Sequence, residues 1–304
     1  MINSGFTTLG RASSLVGASA TTSSLSGSGG TLRVENATFN SMTRAFTVNQ
    51  GTNTTFSGTI DGGTGANISR LLFTKSGTGA LTLDGNVTLK TVTTVTGGYL
   101  YINSTGSNAK FTNEVGSDAI LVTGGSLGGT GIINVNGGDN VALDTGGGLT
   151  AGLADTAGKT TIQFDGGSLD LSLATASSNT GWLDFELGSI ATPGTSYDQI
   201  NILGGNLNIG TGLTFSDFNF TALSGFGAGN YVLFQTPGTI SGSLGTNTGT
   251  INGFDTTLSI SGNNLIMNVV PEPSTSGIVF LGGALLLALA RRLANSRTAA
   301  KNAL

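Results

Sequence analysis

Few side chains in this chain could perform acid–base chemistry, and nearly all of those are carboxylates. Cys and His are both absent, which removes Cys–His nucleophiles, thiolate or imidazole zinc sites, and disulfides. Asp184 and Glu186 stand at i, i+2, so a strand puts both on one face. Asp165 and Asp170 lie near each other in sequence. A glycosidase needs two carboxylates roughly 5–10 Å apart, but a solvent-facing acidic strand accounts for the same pattern and is preferred here. The aromatics around Trp182 are read as core, not as a platform for sugars. The stretch from Gly137-Gly138-Asp139 to Asp144 shares Gly and Asp with calcium-binding nonapeptides, but Asn140 and Ala142 break the pattern. No Gly-x-Gly-x-x-Gly opens a helix, so no nucleotide cradle is expected. The sequence predicts no catalytic residue, no cofactor and no metal.

Charge points away from nucleic acid. No basic residue stands between Lys159 and Arg291, whereas Asp165, Asp170, Asp184, Glu186, Asp198, Asp217, Asp255 and Glu272 are acidic. A body this poor in Lys and Arg cannot neutralise many phosphates. Only 9% of residues are charged while 38% are hydrophobic, so the chain is not kept unfolded by its charge. Gly accounts for 51 of 304 residues, about twice its usual share near 7%. With abundant Thr, Val and Ile, that composition describes short strands joined by tight turns.

A phrase Gly-Gly-x-Leu-x-(Leu/Ile/Val) recurs at Gly29, Gly97, Gly166 and Gly204, with weaker copies at Gly124 and Gly262. Leu100, Leu127, Leu149 and Leu169 follow one another at intervals of 27, 22 and 20 residues. Such periods suit one coil of a parallel β-helix per repeat, with alternate residues pointing inward and stacking on the next coil. An antiparallel sandwich uses the same residue types at shorter spacing. The expectation is an all-β, right-handed parallel β-helix (solenoid) over residues 25–175, after a poorly ordered segment 1–24. Residues 176–268, richer in Phe, Tyr and Trp, suit an antiparallel cap or sandwich-like region.

Residues 71–103 add weight. Lys75, Gly77, Gly79, Leu81, Leu83, Gly85, Thr93, Gly98 and Leu100 occupy the places of the autotransporter-associated β-strand repeat, which this segment resembles. The resemblance implies a β-helical stalk. It does not imply a translocating β-barrel.

Residues 269–304 carry three parts in order: Pro271-Glu272-Pro273, an apolar run over 277–290, and a basic cluster opening with Arg291-Arg292. With Ser274, Thr275 and Ser276 the run nears the width of a thin bilayer, and a transmembrane helix is expected over 275–292. Arg on its C-terminal side leaves residues 1–270 outside the cytoplasm. This order closely resembles the tail of PEP-CTERM proteins, which a membrane protease, the exosortase, recognises in exopolysaccharide-producing Gram-negative bacteria. The resemblance implies that Pro271, Glu272 and Pro273 form the sorting motif, that 278–289 is the hydrophobic helix, and that Arg291 and Arg292 stop transfer. No apolar run of seven to fifteen residues follows a basic start, so an export signal is expected upstream of Met1.

The combined expectation is an exported structural or adhesin-like surface or matrix protein. It is held transiently in the inner membrane by its C-terminal helix, is sorted by the exosortase, and has exopolysaccharide as a candidate ligand. An exopolysaccharide-modifying β-helix enzyme is the alternative, and simple retention as an anchored envelope protein is a third reading.

Overall fold

The computed structural model describes residues 6–9, 19–34, 43–63, 70–114, 116–177 and 179–270. Within them the chain is almost entirely short strands arranged in three sheets, here called A, B and C. The chain visits the sheets in the repeating order A, B, C. One coil runs through Val87–Leu89, Thr93–Val95 and Tyr99–Ile102, and the next through Ala109–Phe111, Asp118–Val122 and Ser126–Gly128. Each strand pairs in parallel with its counterpart in the neighbouring coil, as Leu100 does with Leu81 on one side and Leu127 on the other.

The alternation of residue types dictates which face turns inward. Arg70–Ser76 buries every second residue, placing Leu71, Phe73 and Lys75 inside. Because pairing is in register, like residues form columns. Leu100, Leu127, Leu149, Leu183 and Phe218 lie abreast through sheet C and are all buried. A single core of such columns extends from Leu25 to Val269. The named strands described within residues 43–175 all pair in parallel, which replaces the sandwich alternative.

Two expectations change. Leu169 does not follow Leu149 in one column. It belongs to sheet B, between Val141 and Leu207, and the residue after Leu149 is Leu183. The Gly-Gly-x-Leu phrase recurs out of phase for the same reason, opening a strand of sheet A at Thr31, of sheet C at Tyr99 and of sheet B at Ser168. It marks a corner followed by a strand, not a fixed place in the coil. The second change is the boundary at 175. Parallel winding continues through Gln199–Leu203, Asn206–Leu213, Phe218–Ala222 and Ile240–Leu244. Only the strands Thr248–Ile251, Phe254–Ser261 and Asn264–Val270 are antiparallel, the last pairing with Gly229–Gln235. Of the segment 1–24, the described residues include strands at Phe6–Leu9 and Ser19–Thr22.

The aromatics of residues 176–268 fill the wider late coils. Phe185 packs within 5.5 Å of Phe234 and 5.9 Å of Phe218, ring centre to ring centre. Among the described residues no helix is long and apolar enough to cross a membrane. The expected helix over 275–292 lies outside the described residues.

Corners bring backbone against backbone. Gly98 has φ +60, and a Cβ there would meet the Gly79 carbonyl oxygen of the preceding coil. A Cβ on Gly125 would lie 2.7 Å from the Gly98 oxygen. Lys75 fills the same corner from inside, its ammonium donating to the carbonyls of Ser76 (2.8 Å), Gly97 (3.1 Å) and Gly77 (3.3 Å). Burial lowers its pKa to about 8. Gly98→Ala combines a left-handed backbone with a clash and is expected to cost about 2 kcal/mol or more, read as a lower urea midpoint with an unchanged slope.

Candidate functional site

The most feature-rich surface lies on the outer face of sheet C. Glycine corners deliver Tyr99 and Tyr101 to it, and their i, i+2 spacing turns both rings outward, where they stack 5.4 Å apart at 19°. In register with Tyr99 run Ser126 and Gly148, with Trp182 alongside in the next coil. In register with Tyr101 run Gly128, Thr150, Asp184 and Asn219. Large side chains thus stand on two coils, with small ones on the two coils between. A shallow groove follows, bordered by Tyr99 and Trp182 and floored by Gly98, Gly125, Ser126 and Gly148.

Corner segments from sheet C to sheet A close one side of this face. Residues 151–158 fold back over it: the Ala154 amide donates to the Tyr101 hydroxyl (3.3 Å) and the Asp155 amide to Glu186 Oε1 (2.9 Å). Asp155 takes φ +64 to do so. Asp198, just before the strand Gln199–Leu203, accepts from the Gly158 amide (2.5 Å) through Oδ1 and from the Glu186 amide (2.7 Å) through Oδ2. Burial, followed by the neighbouring Glu186 carboxyl, raises the Asp198 pKa far above the carboxylate range. Glu186 Oε2 is buried beside this carboxyl without a hydrogen-bond donor. Asp184 is half-buried. Its pKa is raised by burial, then lowered by the Asn219 amide that donates to it at 2.6 Å, with Glu186 and Asp155 raising it again.

The acidic residues therefore part company. Asp184 and Glu186 do share a face, but Glu186 is only 2% exposed beneath residues 151–158, not part of a solvent-facing acidic strand. Asp165 and Asp170 flank one corner. Asp170 accepts from the Ser172 amide (2.9 Å) and Asn208 Nδ2 (3.0 Å). Asp139 and Asp144 of the calcium-like stretch accept from the backbone amides of Asn113 and Thr145. Among the described residues no three His, Cys, Asp or Glu side chains gather as a metal site. Trp182 is 8% exposed, its Nε1 donating to Asp217 (3.0 Å), and Phe185, Tyr197 and Tyr231 are buried, in line with the core reading of these aromatics.

Pro271, Glu272, Pro273, Arg291 and Arg292 lie outside the described residues. Sequence reasoning did not anticipate the Tyr99–Tyr101 pair, the fold-back of 151–158 or the Asp198–Glu186 contact. Only the outward Tyr-x-Tyr after Gly97-Gly98 was a usable signal. Asp198 and Glu186 stand twelve residues apart across a corner of no regular form. No family model, no curated protein and no solved structure matches this chain.

A carboxyl whose folded pKa is raised stabilises the fold below its unfolded value, near 3.9, and loses that contribution as pH rises. Asp198→Asn keeps the group neutral at every pH. Between pH 5 and 7.5 the variant's stability relative to the wild type should climb by up to about 1.4 kcal/mol per pH unit. Urea unfolding of both proteins across that range checks it.

Proposed function

We propose that this chain is an exported structural or adhesin-like protein of the cell surface or matrix, a β-solenoid stalk sorted through its C-terminal segment by an exosortase. The observation that carries this reading is the order Pro271-Glu272-Pro273, apolar run, Arg291-Arg292. That order resembles the PEP-CTERM sorting signal. In this reading residues 275–292 form an apolar transmembrane helix, Arg291 and Arg292 remain cytoplasmic, and cleavage near the motif frees the body.

Two features of the body are consistent with this reading. The last strand ends at Val270, so Pro271 follows the folded body directly, which suits a recognition site that must stay accessible. The body is a parallel-stranded coil of low charge, a form that resists bending and presents the same kinds of side chain along its length. We take the winding to be right-handed, following the strong preference of parallel crossovers. The match of residues 71–103 to the autotransporter-associated β-strand repeat agrees with a stalk.

The test compares cells with and without an exosortase, each expressing the chain behind a working signal peptide. Loss of the residues after about Pro273, with release from the membrane only where the exosortase is present, is the expected result. An uncut, membrane-held protein in both hosts overturns the sorting reading and leaves an ordinary anchored envelope protein. Pro271→Ala together with Glu272→Ala should block processing in the exosortase host.

A further inference from the structure

We propose that the groove between Tyr99 and Trp182 on the outer face of sheet C binds an uncharged pyranose oligosaccharide. The inference names a ligand and a site, and so goes beyond the sorting reading. It is tested on purified protein, so failure of either leaves the other standing.

Shape is the first argument. Tyr99, Ser126 and Gly148 lie on successive strands, with Trp182 on the next, so the two aromatic borders stand about 14 Å apart at the usual strand spacing. The floor between them is nearly free of side chains; Gly125 is held to that state by backbone contact, and Gly148 by the Ser126 side chain with the Trp182 carbonyl behind it. A Cβ at Gly125 would strike the Gly98 carbonyl, and one at Gly148 the Ser126 hydroxyl at 2.6 Å. The trench is thus a consequence of coil stacking and keeps its form without a ligand. It is shallow and wide enough for a short run of pyranose rings.

Side-chain chemistry is the second argument. Tyr99 is partly exposed at the groove border, backed by the parallel ring of Tyr101, which the Ala154 amide fixes in place. An outward aromatic face held rigidly beside polar groups suits the C–H face of a sugar ring. Asp184 supplies acceptor oxygens near it, oriented by Asn219, and Ser126 offers a hydroxyl on the floor.

Charge decides among sugars. Asp155, Asp184 and Glu186 all act on Tyr99 from nearby, and no basic residue occurs between Lys159 and Arg291. Lys75, behind the corner, is fully buried and committed to three carbonyls. A polyuronate or sulfated chain would meet the like charge of Asp155 and Asp184, whereas a neutral chain meets acceptors for its hydroxyls.

Trp182 is the only tryptophan in the chain and, though largely buried, lines the groove, so its emission serves as the reporter. The full chain, in a non-glycosidic detergent, is titrated with hexamers of glucose, mannose and N-acetylglucosamine, and with hexagalacturonate. At least one neutral hexamer should shift Trp182 emission saturably, with the uronate at least about tenfold weaker. Tyr99→Ala should weaken binding roughly tenfold while melting at nearly the wild-type temperature. If that variant fails to fold, Ser126→Phe, which only fills the trench, serves instead and should abolish the signal. Saturation by no neutral hexamer at millimolar concentration overturns the proposal. Equal or tighter binding of the uronate does so too, as does a folded Tyr99→Ala or Ser126→Phe that binds like the wild type.

Discussion

No single coil of this protein can bury its own apolar side chains. Leu127 is sealed from water because Leu100 and Leu149 lie abreast of it on the coils either side, held there by parallel pairing in register. A slip of one residue would turn each strand's inward set outward and put Ser126 where Leu127 belongs. Every other feature leans on this lateral constraint. Corners must be glycine where successive backbones touch, as at Gly98 and Gly125. The end of the stack must change form, because its last parallel strands have no further coil to cover them. The chain answers with the antiparallel strands from Thr248 to Val270, folded back on Gly229–Gln235.

The same constraint shapes the outer face of sheet C. Register fixes which residues sit side by side, so tyrosines on one coil and tryptophan three coils on enclose a strip of serine and glycine. Extra residues can enter only at corners, and two consecutive corners from sheet C to sheet A are enlarged, 151–158 and 188–198. Their loose backbone needs partners. Glu186 and Asp198 supply them, taking amides from Asp155, Gly158 and Glu186 itself, and burial raises the Asp198 pKa so that its carboxyl resists ionising there. These carboxyls are better understood as fastening two corners than as a catalytic pair.

Much of this architecture is legible in the sequence, because strand alternation and glycine corners are local signals. Leu81, Leu83 and Leu100 announce their strands through residue type and alternation. Phase is harder to read. Coils lengthen from 22 residues between Leu127 and Leu149 to 34 between Leu149 and Leu183, and the intervening Leu169 mimics a regular step while belonging to sheet B. The shift to Phe, Tyr and Trp after residue 175 reflects wider coils with more interior to fill, not a change to antiparallel pairing. The site was less legible still, since Tyr101, Asp155, Glu186 and Asp198 meet only through a fold-back whose sequence carries no periodic pattern.

The claim on which the rest depends is the in-register stacking of successive coils, and a chain without cysteine allows it to be tested free of background. On the outer face of sheet B, Thr74 pairs with Thr94, and Thr94 with Leu121. Adjacent partners stand about 4.8 Å apart and the outer two about 9.6 Å, on either side of the distance a disulfide can bridge. Double cysteine variants at 74 and 94, and at 94 and 121, should oxidise readily in the folded state, while the pair at 74 and 121 should not. Failure of both adjacent pairs, or ready oxidation of the outer pair, would contradict the stacked-coil account.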